Sequence, residues 1–188
     1  MIKNNSLSSD VVSGNFINGR FYPVSEFIDY ESGGVAIQDP SKGLLYQIWS
    51  ARLENDHVYI SSGNTTEYSI FSGSNITEIS FTFDQNMRFT LSYVEGGDSK
   101  LYWYDSAIPG MTITNFGTSF KNPRITIDDK RATQTSNSDI IMAYIKNGNL
   151  YYRQQRDRFN TEYLLKTGVS KLKKIGMNDK LRLQFLTE

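Results

Sequence analysis

The sequence predicts an all-β protein, a β-sandwich or an incomplete propeller-like stack built from repeated β-hairpins, with an extended N-terminal arm. Three observations lead there. Aromatic residues make up 13% of the chain and gather in short runs separated by Gly, Asn, Asp and Ser, the punctuation of strands and tight turns. No long stretch carries an apolar i, i+3, i+4, i+7 stripe, and the best helical candidate is the short segment Val169 to Lys174. Hairpin units also recur at a pitch of about 40–50 residues, the spacing of propeller blades.

Residues 1–20 are dominated by Ser, Asn and Gly and read as a frayed terminus or as an arm ordered by a neighbouring subunit. Residues 21–188 read as one all-β domain. Its hairpins are expected near 46–61, 88–105 and 139–155, around Glu54-Asn55-Asp56, Glu95 to Ser99 and Lys146-Asn147-Gly148. The last holds Asn-Gly, the strongest short-range hairpin signal, because a type I′ turn needs positive φ at both central residues. The second and third hairpins look like copies: Phe89 to Tyr93 parallels Ile140 to Tyr144, and Leu101-Tyr102-Trp103 parallels Leu150-Tyr151-Tyr152. Further strands are expected at Glu67 to Phe71, Ile76 to Phe83, Thr112 to Phe116, Arg124 to Asp128, Thr161 to Leu165 and Lys180 to Leu186. In the last of these, Leu181, Leu183 and Phe185 share one face, the pattern of a half-buried strand.

Composition narrows the chemistry. Lys+Arg and Asp+Glu both number 20, so the basic excess expected of a nucleic-acid binder is missing. There is no cysteine for a disulfide or a thiolate metal site. No apolar run is long enough to span a membrane, and the N-terminus lacks a signal-peptide core, so no membrane partner is expected. His57 is the only histidine and is expected at the surface, since no second ligand type stands with it. GxGxxG, GxxxxGKS/T and GxSxG are all missing, so the reading is non-enzymatic and without cofactor or metal.

Two side-chain groups stand out. Asp128-Asp129-Lys130-Arg131 and Arg153, Arg156, Asp157, Arg158 are the densest charge clusters, expected to form cross-strand ion pairs. Beside Phe159 the arginines suit an interface or a turn lock, because guanidinium forks grip carboxylates bidentately. Strand alternation puts Leu101 and Trp103 toward the core and Tyr102 and Tyr104 on the other face. Tyr102, Tyr104, Tyr151, Arg153, Arg156 and Arg158 are therefore the candidate interface residues, with a sugar platform as the rival reading of the aromatics.

Taken in order, Ala36 to Trp49, Ile76 to Ser80, Phe83 to Arg88, Leu101 to Asp105, Pro123 to Arg131, Asp139 to Tyr144 and Leu150 to Phe159 resemble small structural tail proteins of tailed bacteriophages. The resemblance covers about residues 35–188 and leaves the N-terminal arm outside it. It implies a virion component, made in the host cytoplasm and present as a homo-oligomer around the tail axis. It implies contacts with other tail or fibre proteins and no catalytic residues. The alternative is a carbohydrate- or receptor-binding β module, with a host glycan as ligand.

Overall fold

A computed structural model describes residues 12–17, 20–25, 34–38, 46–62, 67–84, 88–128, 139–177 and 183–188. The described residues form sixteen strands and one short 3-10 turn, Gln155–Asp157. The strands are β1 (Val12–Ile17), β2 (Arg20–Ser25), β3 (Gly34–Gln38), β4 (Tyr46–Glu54), β5 (His57–Ser62), β6 (Tyr68–Ser72), β7 (Ile76–Phe83) and β8 (Phe89–Glu95). They continue with β9 (Asp98–Asp105), β10 (Gly110–Gly117), β11 (Lys121–Asp128), β12 (Asp139–Lys146), β13 (Asn149–Gln154), β14 (Tyr163–Thr167), β15 (Leu172–Met177) and β16 (Leu183–Thr187). No helix among the described residues is long and apolar enough to cross a membrane.

Three four-stranded antiparallel meanders follow one another: β3 to β6, β7 to β10 and β11 to β14. Two-stranded sheets, β1–β2 and β15–β16, complete the set. The inner strands of successive sheets lie side by side, β11 between β7 and β15, and β2 beside β3 and β15. The chain is thus all-β, a stack of small sheets generated by repeated hairpins. All three expected hairpins are present, with tighter turns than expected: Glu54 faces His57, Glu95 faces Asp98 and Lys146 faces Asn149. Positive φ at Asn55 and Asp56, Gly96 and Gly97, and Asn147 and Gly148 lets each hairpin close in two residues.

Two expectations change. The Val169 to Lys174 segment is not a helix; Leu172 begins β15. Leu172 and Ile175 are both buried at a helical i, i+3 spacing because β15 shifts register between Leu172 and Lys174. A bulge of this kind inserts one residue and returns the side chain to the same face. The other change concerns the arm. Val12–Ile17 pairs with Arg20–Ser25 as a hairpin, so strand begins inside the 1–20 stretch; residues 1–11, 18 and 19 lie outside the described residues.

Each sheet buries one face against the next. Ala51, Val58 and Ile60 of the first meander meet Ile79, Phe81, Leu91 and Tyr93 of the second. Leu101, Trp103 and Phe120 meet Ile140, Met142, Tyr144 and Phe159 of the third. Ala143, Ile145 and Leu150 then meet Leu172 and Ile175. Because β12 is covered on both sides, Asp139 to Ile145 is buried without interruption, as a continuous apolar run requires. Each large side chain in these layers contributes roughly 1.5–3 kcal/mol on burial.

Polar stitches hold the inner strands together. Ser80 Oγ accepts the Ile125 N–H at 3.1 Å, and Ser99 Oγ donates to the Phe120 carbonyl at 2.6 Å. Ser92 Oγ donates to the carbonyl of Pro123, which sits where the β11–β12 register is irregular and no ladder N–H is needed. Arg124 reaches Glu78 on β7 at 2.9 Å and the Lys173 carbonyl on β15 at 3.1 Å, linking three sheets through one guanidinium.

Candidate functional site

Arg153 projects from β13 into a cluster built by the third meander. Its Nε donates to Tyr144 Oη at 2.9 Å, one terminal nitrogen to the Phe159 carbonyl at 2.7 Å, and the other to Glu162 at 3.3 Å. Tyr144, fully buried, donates its hydroxyl to Glu162 at 2.5 Å, and Lys146 Nζ reaches the same carboxylate at 3.1 Å. Burial alone would raise the Glu162 carboxyl; the Tyr144 hydroxyl and the Lys146 and Arg153 cations outweigh it and hold the group below the ordinary range. Burial, then the Glu162 hydrogen bond, pushes the Tyr144 phenol upward, with Arg153 opposing. A tyrosine–glutamate pair can arm a phenol as a glycosidase nucleophile. Here the ring is fully buried, and its hydroxyl joins Arg153 of β13 to Glu162 ahead of β14.

The other arginines fasten as well. Arg156 pairs with Asp139 inside the third meander. Arg158 reaches across to Asp105 of the second at 2.6 Å. Burial would raise Asp105, but the Ala107 N–H and the Arg158 guanidinium hold it low. The turn between them is strained, with Arg158 and Phe159 both at φ 59°, a left-handed conformation that costs non-glycine residues of order 1 kcal/mol or more. It persists because it is over-determined. The Phe159 N–H donates to the Gln154 carbonyl, its own carbonyl accepts Arg153, and its buried ring sits edge-on to Trp103 at 5.0 Å.

Trp103 is buried, and its indole N–H donates to Thr114 Oγ1 at 2.9 Å, so this ring offers no sugar platform. Tyr151 is half-buried and stacks on Tyr144. Asp129, Lys130 and Arg131 lie outside the described residues. His57 is exposed at the start of β5.

Tyr102 and Tyr104 occupy different surroundings: the cleft between the first two meanders. Tyr102 lies opposite Leu91, a core residue on the side facing the first meander, and its ring is 5.3 Å from Phe71. Tyr104 carries the Arg88 guanidinium over its ring at 3.5 Å. On the outer strand β10, Met111 stands opposite Tyr104 and Ile113 opposite Tyr102, so both project into the same cleft. They remain 39% and 51% exposed. The facing wall belongs to β6, where Tyr68, 53% exposed, lies opposite buried Ile60.

The exposed large apolar side chains among the described residues all lie on a sheet's last strand or in the turn leading to it. They are Tyr68, Ile108, Met111, Ile113, Tyr163, Leu164 and Leu186. The sequence reading did not find this rim, nor the clamp on Glu162. One signal was available: Thr-Glu-Tyr occurs at 66–68 and again at 161–163. Glu67, before the last strand of the first meander, is gripped by Arg52 of β4 through two contacts of 2.7 and 2.6 Å, as Glu162, before the last strand of the third, is held by Arg153 of β13. No known protein family matches the chain, and no curated protein or solved structure matches it either.

Proposed function

We propose that the chain is a structural subunit of a bacteriophage tail, repeated around the tail axis in the virion and contacting neighbouring tail or fibre proteins. The observation that carries this reading is the apolar rim. Among the described residues, seven large hydrophobic side chains stand exposed on or beside outer strands, while Arg153, Arg156 and Arg158 are paired with carboxylates of the same chain. Outer strands with unpaired backbone and apolar side chains invite association, and proteins normally guard them. Here they are suited to burial against neighbours. The ordered resemblance of residues 35–188 to small tail proteins supplies the particle. Peptide mapping and electron microscopy of purified particles test it: the protein recovered at fixed stoichiometry in intact virions supports the reading, and its absence from them sinks it.

A second reading, a glycan- or receptor-binding module, is favoured by Tyr68 and Tyr163, exposed rings at matching places on two outer strands. Exposed tyrosine faces can stack on sugar rings. A glycan array probed with the wild type and with Tyr68→Ala separates the two readings.

A further inference from the structure

Both faces of strand β10 look toward a neighbouring sheet. Thr112 and Thr114 share the face of Trp103 and Leu101, Thr114 accepting the Trp103 indole, while Met111 and Ile113 share the face of Tyr104 and Tyr102 toward the first meander and stay exposed there. An edge strand that wastes its apolar residues on water is unfavourable unless something covers them. Gly110–Gly117 also contains no charged residue and no proline, two of the devices that protect edges. Its one guard, the register shift between Asn115 and Gly117, leaves Gly110 to Asn115 in regular ladder geometry.

We propose that the cleft between β6 and β10 takes an extended, uncharged segment of a partner protein. The segment adds to the edge of β10 that no strand pairs among the described residues and sends alternate apolar side chains toward Tyr68 and Ile113. The inference rests on the assembly reading for the nature of the partner and adds the surface and chemistry of the contact. Charge argues for this occupant. Arg88 bordering the cleft is paired with Asp84 at 2.7 Å, and Lys100 deeper on the same face is paired with Glu95 at 2.6 Å. The cleft therefore complements a neutral strand, and a charged one would lose hydration without gaining a counter-ion. The edge itself suits an extended occupant: β10 ends its sheet among the described residues, and Gly110–Gly117 carries no charge or proline to block main-chain pairing. Main-chain pairing supplies affinity and the alternate pockets supply selectivity.

The test uses the full chain and a blocked, fluorescein-labelled heptapeptide of alternating threonine and valine, read by fluorescence anisotropy. The wild type binds it saturably. Met111→Lys and Ile113→Lys weaken binding by about tenfold or more. Leu164→Lys, an equally exposed apolar site on β14, leaves binding unchanged. Because these positions are exposed, thermal melts of all three variants stay close to wild type. No saturable binding by the wild type, or equal weakening by Leu164→Lys, overturns the proposal. Self-association of the wild type abolished by Ile113→Lys also overturns it, since the occupant is then a second copy. Each failure removes the β10 contact while leaving virion mapping to decide the tail role separately.

Discussion

Replacing Arg153 with methionine separates an internal lock from an interface residue. The variant keeps an unbranched stem but removes the donors to Tyr144 Oη, the Phe159 carbonyl and Glu162. Arg153 and Glu162 side chains are 19% and 23% exposed, so water screens the ion pair only in part. The bond to the Phe159 carbonyl matters most, because it holds a residue already in a left-handed conformation. Hydrogen bonds to charged groups contribute about 1.5–3 kcal/mol each, and the 3.3 Å contact to Glu162 is the weakest of the three. With Lys146 still on Glu162, the net loss is about 3 kcal/mol. For a chain of this size that lowers Tm by roughly 6–12 °C. Thermal melts followed by circular dichroism, with urea titration for the free energy, measure it. A loss below about 1 kcal/mol, the range of exposed ion pairs, refutes the lock. If assembly then fails while stability holds, Arg153 belongs to an interface.

Further outcomes follow from the same geometry. Asp105, Glu95 and Glu162 are all held below the ordinary carboxylate range, so their contribution is full above about pH 4 and is lost as pH falls through their lowered folded values. Tm is therefore flat from about pH 7 to pH 5 and falls below about pH 4, more gently in Glu162→Gln; a fall centred near neutrality contradicts this. Gly73→Ala places a Cβ 2.4 Å from Glu95 Oε1, which is anchored by Lys100 and the Ser74 N–H, and costs about 1–2 kcal/mol. The cost shrinks in a Glu95→Ala background, which a double-mutant cycle reads directly. Gly148→Ala, at φ 72° in the third hairpin turn, lowers stability by about 1 kcal/mol in urea titration; no change means the turn is not type I′.

Much of the fold was legible because it is locally written. The three hairpins announce themselves through alternation and through turns that close on Asn55-Asp56, Gly96-Gly97 and Asn147-Gly148, and Leu101 and Trp103 fall on the buried face as alternation requires. β15 was not legible, because a bulge near Lys173 gives Leu172 and Ile175 the spacing of a helix. Nor was β1–β2, where Gly and Ser dilute the apolar pattern and only Asn18-Gly19 signals a turn. The candidate residues divide physically. The arginine positions were legible as a cluster, but their partners Asp105, Asp139 and Glu162 are distant in sequence, and only packing selects them. The cleft was half legible: Tyr102 and Tyr104 were singled out, whereas Met111 and Ile113 read as ordinary strand residues until burial showed which side they face. Repetition of a motif does not fix its worth either. Arg52–Glu67 and Arg153–Glu162 repeat one device, yet the first is about 40% exposed on both partners and contributes little.

The meander order has a consequence for how the molecule comes into being. Every hydrogen-bonded strand pair among the described residues joins strands consecutive in the chain. Closing such short loops costs little entropy, so each sheet nucleates from its own segment, and folding is fast for a protein this rich in β-structure. During synthesis the β3–β6, β7–β10 and β11–β14 units take shape one after another as their last strands emerge. The stitches that span units, Arg158 to Asp105 and Arg124 to Glu78 and Lys173, can form only once the later partner has arrived. Secondary structure is thus acquired segment by segment, whereas side-chain registration between sheets is a late, shared event. Variants that cut these cross-links speed unfolding more than they slow folding.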